Sequence, residues 1–410
     1  MAKVQRALIQ TVGLVADPLI ASLRTHRPDL VVFVASPDSS RFVQEALEAA
    51  PVPDHAVLTV DDPESMDAAF RAGRRAYRIL KEKGAEELLV DPTGGTKTMV
   101  AGLSLALAGL GFTFVYVGGA KRDAAGKVIT GHERVRTMPD PTERYHVFEQ
   151  RAFMRAWNEW RMPSAAAALE AILKTGERNP ELLSEPERRY FEGLLEVTRG
   201  MHAWDLFRHK DAHERLSRGL PKALAEAEAW GHEGKLRVLG ALKDRLPELE
   251  AIAKDNLSGR PTFRVLADLL ANAERRAEVG RYDDALARLY RAVELALEAH
   301  FFETYGFFLD KPKSWPKEVR RRVDGRRVYG LFNVLERAAQ LSWALREKGT
   351  LPLRLYAEKD ELRRLTDDRN KSILAHGVVP VEKEDYEKFK AFLRELGLKP
   401  AEPWPRWWEA

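Results

Sequence analysis

Leu88-Leu89-Val90-Asp91-Pro92-Thr93-Gly94-Gly95-Thr96-Lys97-Thr98 runs from an apolar strand, through a turn of small residues, into an apolar helix rich in alanine and glycine. Glycines let a backbone approach a ligand closely. Thr96 and Thr98 add hydroxyls and Lys97 a positive charge at a helix start, where unpaired amides favour an anion. The loop is not a Walker loop, because Thr96 stands where the glycine before the lysine is needed. Nor does a G-x-G-x-x-G follow the first strand, where Gly13 stands alone. ATP hydrolysis through Lys97 and dinucleotide binding both lose ground. The plain alternative is a well-capped strand–helix turn.

Outward from this loop, residues 1–140 alternate short apolar runs with amphipathic ones. Strands are expected near Val4–Val12, Leu30–Ala35, Ala56–Val60, Leu88–Val90 and Phe112–Val117. Helices are expected near Asp17–Arg24, Ser39–Ala49, Glu64–Lys83 and Thr96–Leu110, and a terminal hairpin of Lys127–Thr130 with Arg134–Met138 around Gly131. Apolar strands each followed by a crossover helix predict an α/β, Rossmann-like domain with a doubly wound parallel sheet, whose ligands bind at the carboxyl edge. A second strand end, Ser36-Pro37-Asp38-Ser39-Ser40-Arg41, is again hydroxyl-rich and again opens a helix. Ser39 or Ser40 alone reads as an N-cap; beside the threonine loop, Ser36, Ser39 and Ser40 become candidate ligand contacts.

From Tyr145 the strand signal ends and all-α periodicity takes over, with breakers at Pro163, Pro180, Pro221 and Gly231 and a helix start at Ser184-Glu185-Pro186-Glu187. Asn256-Leu257-Ser258-Gly259-Arg260-Pro261 separates a middle block, 141–258, from a C-terminal one, 259–410. In the latter, Leu266 to Glu303 reads as a helical pair turning at Gly280, followed by helices near Leu331–Lys348, Leu355–Ala375 and Lys383–Leu396. Arg208, Asp211, Ala212, Arg215, Leu216 and Arg218 recur 73 positions later as Arg281, Asp284, Ala285, Arg288, Leu289 and Arg291. That is helix-hairpin chemistry used twice; the period of a repeat array is absent. The tail Pro403-Trp404-Pro405-Arg406-Trp407-Trp408 is expected to pack as an aromatic clasp or to mark a partner surface.

Composition narrows the class. With 45% hydrophobic and 31% charged residues, the 410-residue chain reads as soluble and multidomain. Met99–Val117 is broken by glycines, so a membrane span is rejected. The N-terminus lacks a signal peptide's apolar core, and the absence of cysteine removes disulfides and thiolate chemistry; a cytoplasmic protein is expected. The net charge of +4 does not identify a nucleic-acid binder. Lys311 to Arg327 is the local exception, with eight Lys/Arg against Glu318 and Asp324: a solvated loop, or a track for a polyanion.

A second motif is Arg369-Asn370-Lys371-Ser372-Ile373-Leu374-Ala375-His376, followed by Gly377. Seven residues is nearly two helical turns, so Arg369 and His376 share a face about 10 Å apart along the axis. Two copies across a dimer axis could bring four such groups into one pocket. Histidine titrates near neutral pH and moves protons; arginine stays cationic and binds a crowded phosphate. His202, His209 and His213 cluster without carboxylate spacing, so zinc is not expected. Asp61-Asp62 and Asp367-Asp368 read as helix-start caps.

The D-P-T-G-G-T-K run of Asp91–Lys97 resembles the signature of the CRISPR-associated Rossmann fold (CARF) domains of type III systems. The resemblance covers roughly 1–140. It implies a homodimer whose facing loops bind one cyclic oligoadenylate, cyclic tetra-adenylate by preference, through Thr93, Gly94, Gly95, Thr96, Lys97 and Thr98, with Ser36, Ser39 and Ser40 as second contributors. Arg369-Asn370 and His376-Gly377, with the helix around Tyr282–Glu298, resemble HEPN ribonucleases over about 260–400. That implies Arg369 and His376 as catalytic residues and Asn370 as a positioning one, cutting single-stranded RNA without a metal. The order sensor, helical linker (141–258) and HEPN domain (259–410) matches CARF–HEPN ribonucleases. A non-enzymatic, ligand-controlled regulator is the alternative; it needs a recognition helix, and no convincing helix–turn–helix is present.

Overall fold

Successive strand residues point to opposite faces, and the N-terminal strands are apolar on both, so each face needs its own helices. The computed structural model describes residues 4–119, 121, 128–129, 131–372 and 378–407. The chain divides into two compact units, Met1–Phe148 and Glu149–Ala410.

The first unit runs β1 (Arg6–Thr11), α1 (Asp17–His26), β2 (Leu30–Ala35), α2 (Arg41–Ala49), β3 (Asp54–Thr59), α3 (Met66–Glu82), β4 (Glu87–Asp91), α4 (Lys97–Leu107), β5 (Phe112–Gly119), β6 (Glu133–Met138) and the single turn α5 (Pro141–Arg144). The sheet order is β3-β2-β1-β4-β5-β6, with β1 to β5 parallel and β6 antiparallel to β5. On one face Ile9, Val32, Val34, Val90 and Phe112 meet Ala76 and Leu80 of α3 and Met99 and Leu103 of α4. On the other, Leu8, Val31, Phe33, Leu89 and Val115 meet Leu19 and Leu23 of α1 and Val43 and Ala46 of α2. This is the expected doubly wound sheet. The order reverses beside β1, so the crevice between β1 and β4 lies at a topological switch point.

Three local expectations change. Arg134–Met138 is a strand, but its partner is β5: Val117 pairs with Val135 and Phe114 with Met138, so the sheet gains an antiparallel edge instead of a separate hairpin. Residues 127 and 130 of that hairpin lie outside the described residues. Helix α3 is capped by Ser65, whose Oγ accepts from Ala68 N at 3.1 Å; Asp62 instead accepts from Glu64 N in the preceding turn. Asp367-Asp368 lies inside a helix, not at its start.

The second unit is all helix: α6 (Val147–Asn158, beginning at the unit boundary), α7 (Met162–Arg178), α8 (Glu185–Asp205), α9 (His209–Ala229), α10 (Glu233–Lys243) and α11 (Leu246–Leu257), then α12 (Phe263–Glu278), α13 (Tyr282–Tyr305), α14 (Lys317–Arg320), α15 (Leu331–Ala344), α16 (Leu351–Ala357), α17 (Lys359–Lys371) and α18 (Lys383–Glu395). Glu187 closes the start of α8 by accepting from Ser184 N at 2.8 Å. Gly280, at φ +74°, turns α12 into α13 as expected. Helix α13 is central to its core: Leu289, Val293, Leu297 and Phe301 pack with Leu335 of α15, Leu355 of α16, Leu362 of α17 and Phe389 of α18. The expected single helix Leu355–Ala375 is broken at Glu358 into α16 and α17.

The internal echo has a structural counterpart. Arg208 and Arg281 are the N-cap residues of α9 and α13, each with the same backbone conformation (φ −88°, ψ 62° and φ −94°, ψ 64°). Ala212 and Leu216 bury against α8 as Ala285 and Leu289 bury against α12, so two helix hairpins share one start. Over its described residues, 403–407, the tail is the expected clasp; Trp408 lies outside them. The Arg275 guanidinium sits 3.6 Å from the Trp404 ring centre, Trp157 Nε1 donates to Pro405 O at 3.0 Å, and Trp407 N donates to Asn158 Oδ1 at 2.7 Å. No helix among the described residues is long and apolar enough to cross a membrane.

Candidate functional sites

The strand-end loop is held from three sides. Gln10, paired in register with Asp91 across β1 and β4, donates Nε2 to the Asp91 carboxylate at 3.0 Å, and Thr93 N donates to its other oxygen at 3.0 Å. Burial pushes the Asp91 carboxyl up from the usual aspartate range, and the hydrogen bonds from Thr93 and Gln10 oppose that shift without cancelling it. Thr93 Oγ1 accepts from Val117 N at 2.8 Å, fastening the loop to β5. Thr11 Oγ1 donates to Gly94 O at 2.6 Å, fastening it to β1.

Glycine is required at position 94 by space: a Cβ there would lie 2.5 Å from Thr11 O and 2.6 Å from Gly13 N. At Gly95 the requirement is conformational, with φ +83°. Beyond it Thr96 caps α4, its Oγ1 accepting from Met99 N at 3.2 Å, and both Thr96 and Thr98 hydroxyls face the Pro63 carbonyl, with Thr98 at 2.6 Å. The threonines therefore also tie the loop to the turn before α3. Gly95, Thr96 and Lys97 are exposed, and Lys97 makes no salt bridge among the described residues. An exposed cation beside the first-turn amides of α4 gives this edge an anion-holding character.

In the second loop the hydroxyls turn inward. Ser36 and Ser39 are buried and bond one another, Ser36 N to Ser39 Oγ at 2.9 Å and Oγ to Oγ at 3.0 Å. Ser40 is exposed and donates to Pro37 O at 2.8 Å; it precedes α2 without a side-chain cap bond. The two loops follow β2 and β4, the strands flanking β1, and so share one sheet edge. In the sequence Asp91 reads only as the start of the motif and Gly13 only as a lone glycine; that they and Thr11 hold the loop was missed. A lone acid ending an apolar strand was the available signal for Asp91; the contact of Gly13 with Gly94 needs the β1–β4 pairing to be known.

Of the second motif, the structure places Arg369 and Asn370 in the last turn of α17. Earlier in the same helix Leu362 and Thr366 are buried. Asn370 is half-buried; the Arg369 side chain and all of His376 lie outside the described residues. His209 is buried with Nε2 2.8 Å from Asp268 and Nδ1 2.6 Å from Asn256, a core histidine within a hydrogen-bond network. Asp268 also accepts from Trp204 Nε1 at 2.9 Å. Arg275 Nε lies 3.3 Å from Asp205, which Arg276 and Asn272 also contact, so the end of α8 is bound to α12 through buried charge.

Two family models match successive parts of the chain. A family model described as the Csm6 6H domain matches residues 145–246, and one described as the Csm6 HEPN domain matches 254–398. Among solved structures, Csm6 of Enterococcus italicus bound to cyclic hexa-2′-fluoro-hexa-dAMP is similar at 11% identity over 96% of this chain and 93% of that one, with TM-score 0.43. Can2 from Sulfobacillus thermosulfidooxidans, in complex with cyclic tetra-adenylate, is similar at 16% identity over 51% of this chain and 69% of that one, with TM-score 0.25. Both scores are below 0.5, and the family models alone decide the assignment. No curated protein matches the chain.

Proposed function

Because the chain is a CRISPR-associated protein of the Csm6 type, we propose that it has CARF–HEPN organisation and is a cyclic-oligoadenylate-activated, metal-independent endoribonuclease that cuts single-stranded RNA in type III antiviral defence. The observation that carries this reading is the arrangement of the Asp91–Thr98 loop at a sheet switch point, ahead of a helical region matched as HEPN whose α17 bears Arg369 and Asn370. The division is 1–140 sensor, 141–258 helical linker and 259–410 nuclease, in a cytoplasmic homodimer.

Gly95, Thr96, Lys97 and Thr98, with Ser40, meet the ring, for which cyclic tetra-adenylate is preferred. Thr93, Gly94, Ser36 and Ser39 fix the backbone that meets it. At the nuclease site the RNA 2′-hydroxyl attacks the adjacent phosphorus and the bond to the 5′-oxygen breaks, leaving a 2′,3′-cyclic phosphate and a 5′-hydroxyl. His376 supplies or accepts the proton, Arg369 neutralises the charge gathering on the phosphate, and Asn370 orients substrate or arginine. Two copies of each, one per protomer, form the composite site. The ring activates by binding the cutting-competent dimer more tightly than the resting one. The test is RNA cleavage in EDTA with and without cyclic tetra-adenylate. Ring-stimulated cutting that Arg369→Ala abolishes while ring binding persists is expected; cutting that needs a divalent metal, or that survives in Arg369→Ala, refutes the proposal.

A further inference from the structure

The segment between α13 and α15 is the most basic stretch of the chain and takes no part in the sites above. Residues 311–327 hold eight Lys/Arg against two acids, a surplus of six in a chain whose net charge is +4. A solvated loop would leave such a run without anchors. Here Trp315, Val319 and Val323 are buried in the α13 core. Trp315 Nε1 donates to Phe308 O at 2.9 Å, and the buried Arg337 lies over the Trp315 ring while donating to Arg326 O at 3.2 Å. The anchors alternate with Lys313, Lys317, Arg320, Arg321 and Arg322, all outward and none in a salt bridge among the described residues. Within this segment, among the described residues, Arg326 pairs, with Asp324 at 2.7 Å.

Exposed aromatics and cavities continue this face. Tyr329, 67% exposed, carries the Arg327 guanidinium 5.0 Å from its ring centre. A cavity of about 600 Å³ opens beside Arg260, Phe308 and Lys311 over an apolar floor of Val265, Leu269 and Leu295. A second of about 360 Å³ adjoins it and is lined by Arg326, Arg327 and Tyr329 and also by Glu294, Glu298 and Asp310. Beyond Tyr329 the chain enters α15, where Phe332 lies under Arg363 of α17 at 4.9 Å. Position 369 is six residues further along that helix, about 9 Å in rise.

We infer that residues 311–329 form a track for the phosphate backbone of single-stranded RNA, with Tyr329 as a stacking platform, delivering substrate toward the end of α17. Fixed cations with few internal partners lose little on meeting phosphates, and an exposed ring stacks bases without sequence preference. This inference rests on the ribonuclease reading, because it names where that enzyme's substrate lies.

The test uses the full-length chain carrying His376→Ala, so that RNA is bound but not consumed. Fluorescence anisotropy is followed with a labelled oligouridylate long enough to span the segment, across a range of salt. Arg320→Glu/Arg321→Glu/Arg322→Glu is expected to lose about tenfold or more in affinity and to flatten the log–log salt dependence by about 2, the share of three phosphates on a single strand. Replacing the same three arginines by lysine is expected to keep most of the affinity. Lys383→Glu/Lys388→Glu/Lys399→Glu, with the same change of charge on exposed positions elsewhere, is expected to lose far less. An equal loss in that control, an unchanged affinity in the arginine variant, or loss of its dimer in sedimentation overturns the track. Failure of the unmutated chain to cut RNA would instead sink the ribonuclease reading, and the binding measurement would still decide the track separately.

Discussion

Gly94→Ala is the sharpest perturbation of the sensor loop, because the new methyl meets backbone and not a side chain that can swing away. Its Cβ would lie 2.5 Å from Thr11 O and 2.6 Å from Gly13 N. Ordinary contact is reached only when the β1 and β4 ends separate by about 1–1.5 Å. Overpacking of this kind costs about 1–3 kcal/mol. For a unit of this size that is a fall of roughly 3–10 °C in melting temperature. A ligand held by the Gly95 amide, Thr96 and Lys97 feels the same displacement, so affinity for cyclic tetra-adenylate is expected to fall about 10- to 100-fold, or about 1.4–2.8 kcal/mol. Gly95→Ala is the comparison. It meets only the Met99 side chain, at 3.4 Å, but places alanine at φ +83°, a penalty of about 1–2 kcal/mol. Isothermal titration should therefore rank wild type, then Gly95→Ala, then Gly94→Ala. A Gly94→Ala protein that melts lower yet binds the ring as tightly as wild type would refute the claim that this loop positions the ligand.

Three further outcomes follow from buried polar groups. The Asp91 carboxyl is pushed up by burial, so its contribution to stability is full below the usual aspartate range of about 4 and is lost as pH rises through its raised folded value. Asp91→Asn removes that dependence and lets Gln10 Oε1, which has no partner, accept from the new amide; thermal melts should favour the variant increasingly as pH rises, and a gap that widens toward acid contradicts the assignment. Asp205→Asn leaves Arg275 and Arg276 facing each other without their shared carboxylate, at a cost of about 3–5 kcal/mol by chemical denaturation; a loss below about 1 kcal/mol would mean solvent reaches the pair. Trp404→Ala opens the clasp under Arg275 and should lower stability of the helical unit by about 3–5 kcal/mol in calorimetry, whereas an unchanged melt would make the tail ornamental.

What could be read from the sequence followed from periodicity and from residues with fixed backbone meaning. Strands apolar on both faces gave a parallel sheet, Gly280 gave the α12–α13 turn, and Ser184 with Glu187 gave the start of α8. What could not be read depended on neighbours distant in the chain. The pairing of β6 with β5 is set across a long connection, and Gly13 matters only because β4 returns beside β1. The break at Glu358 carries no glycine or proline to announce it. Hydroxyl-rich loops were legible as polar, but whether a hydroxyl faces outward was not: Ser36 and Ser39 bond each other, and Thr93 bonds Val117. The Arg369–His376 spacing reads as a shared helical face; α17 carries Arg369 and Asn370, and His376 lies outside the described residues.

The central claim is most directly tested by the ends of the RNA. Wild-type protein given cyclic tetra-adenylate in EDTA is expected to leave 2′,3′-cyclic phosphate and 5′-hydroxyl termini, and His376→Ala to leave the RNA intact while still binding the ring. Fragments bearing 5′-phosphates, or equal cutting by His376→Ala, would contradict it.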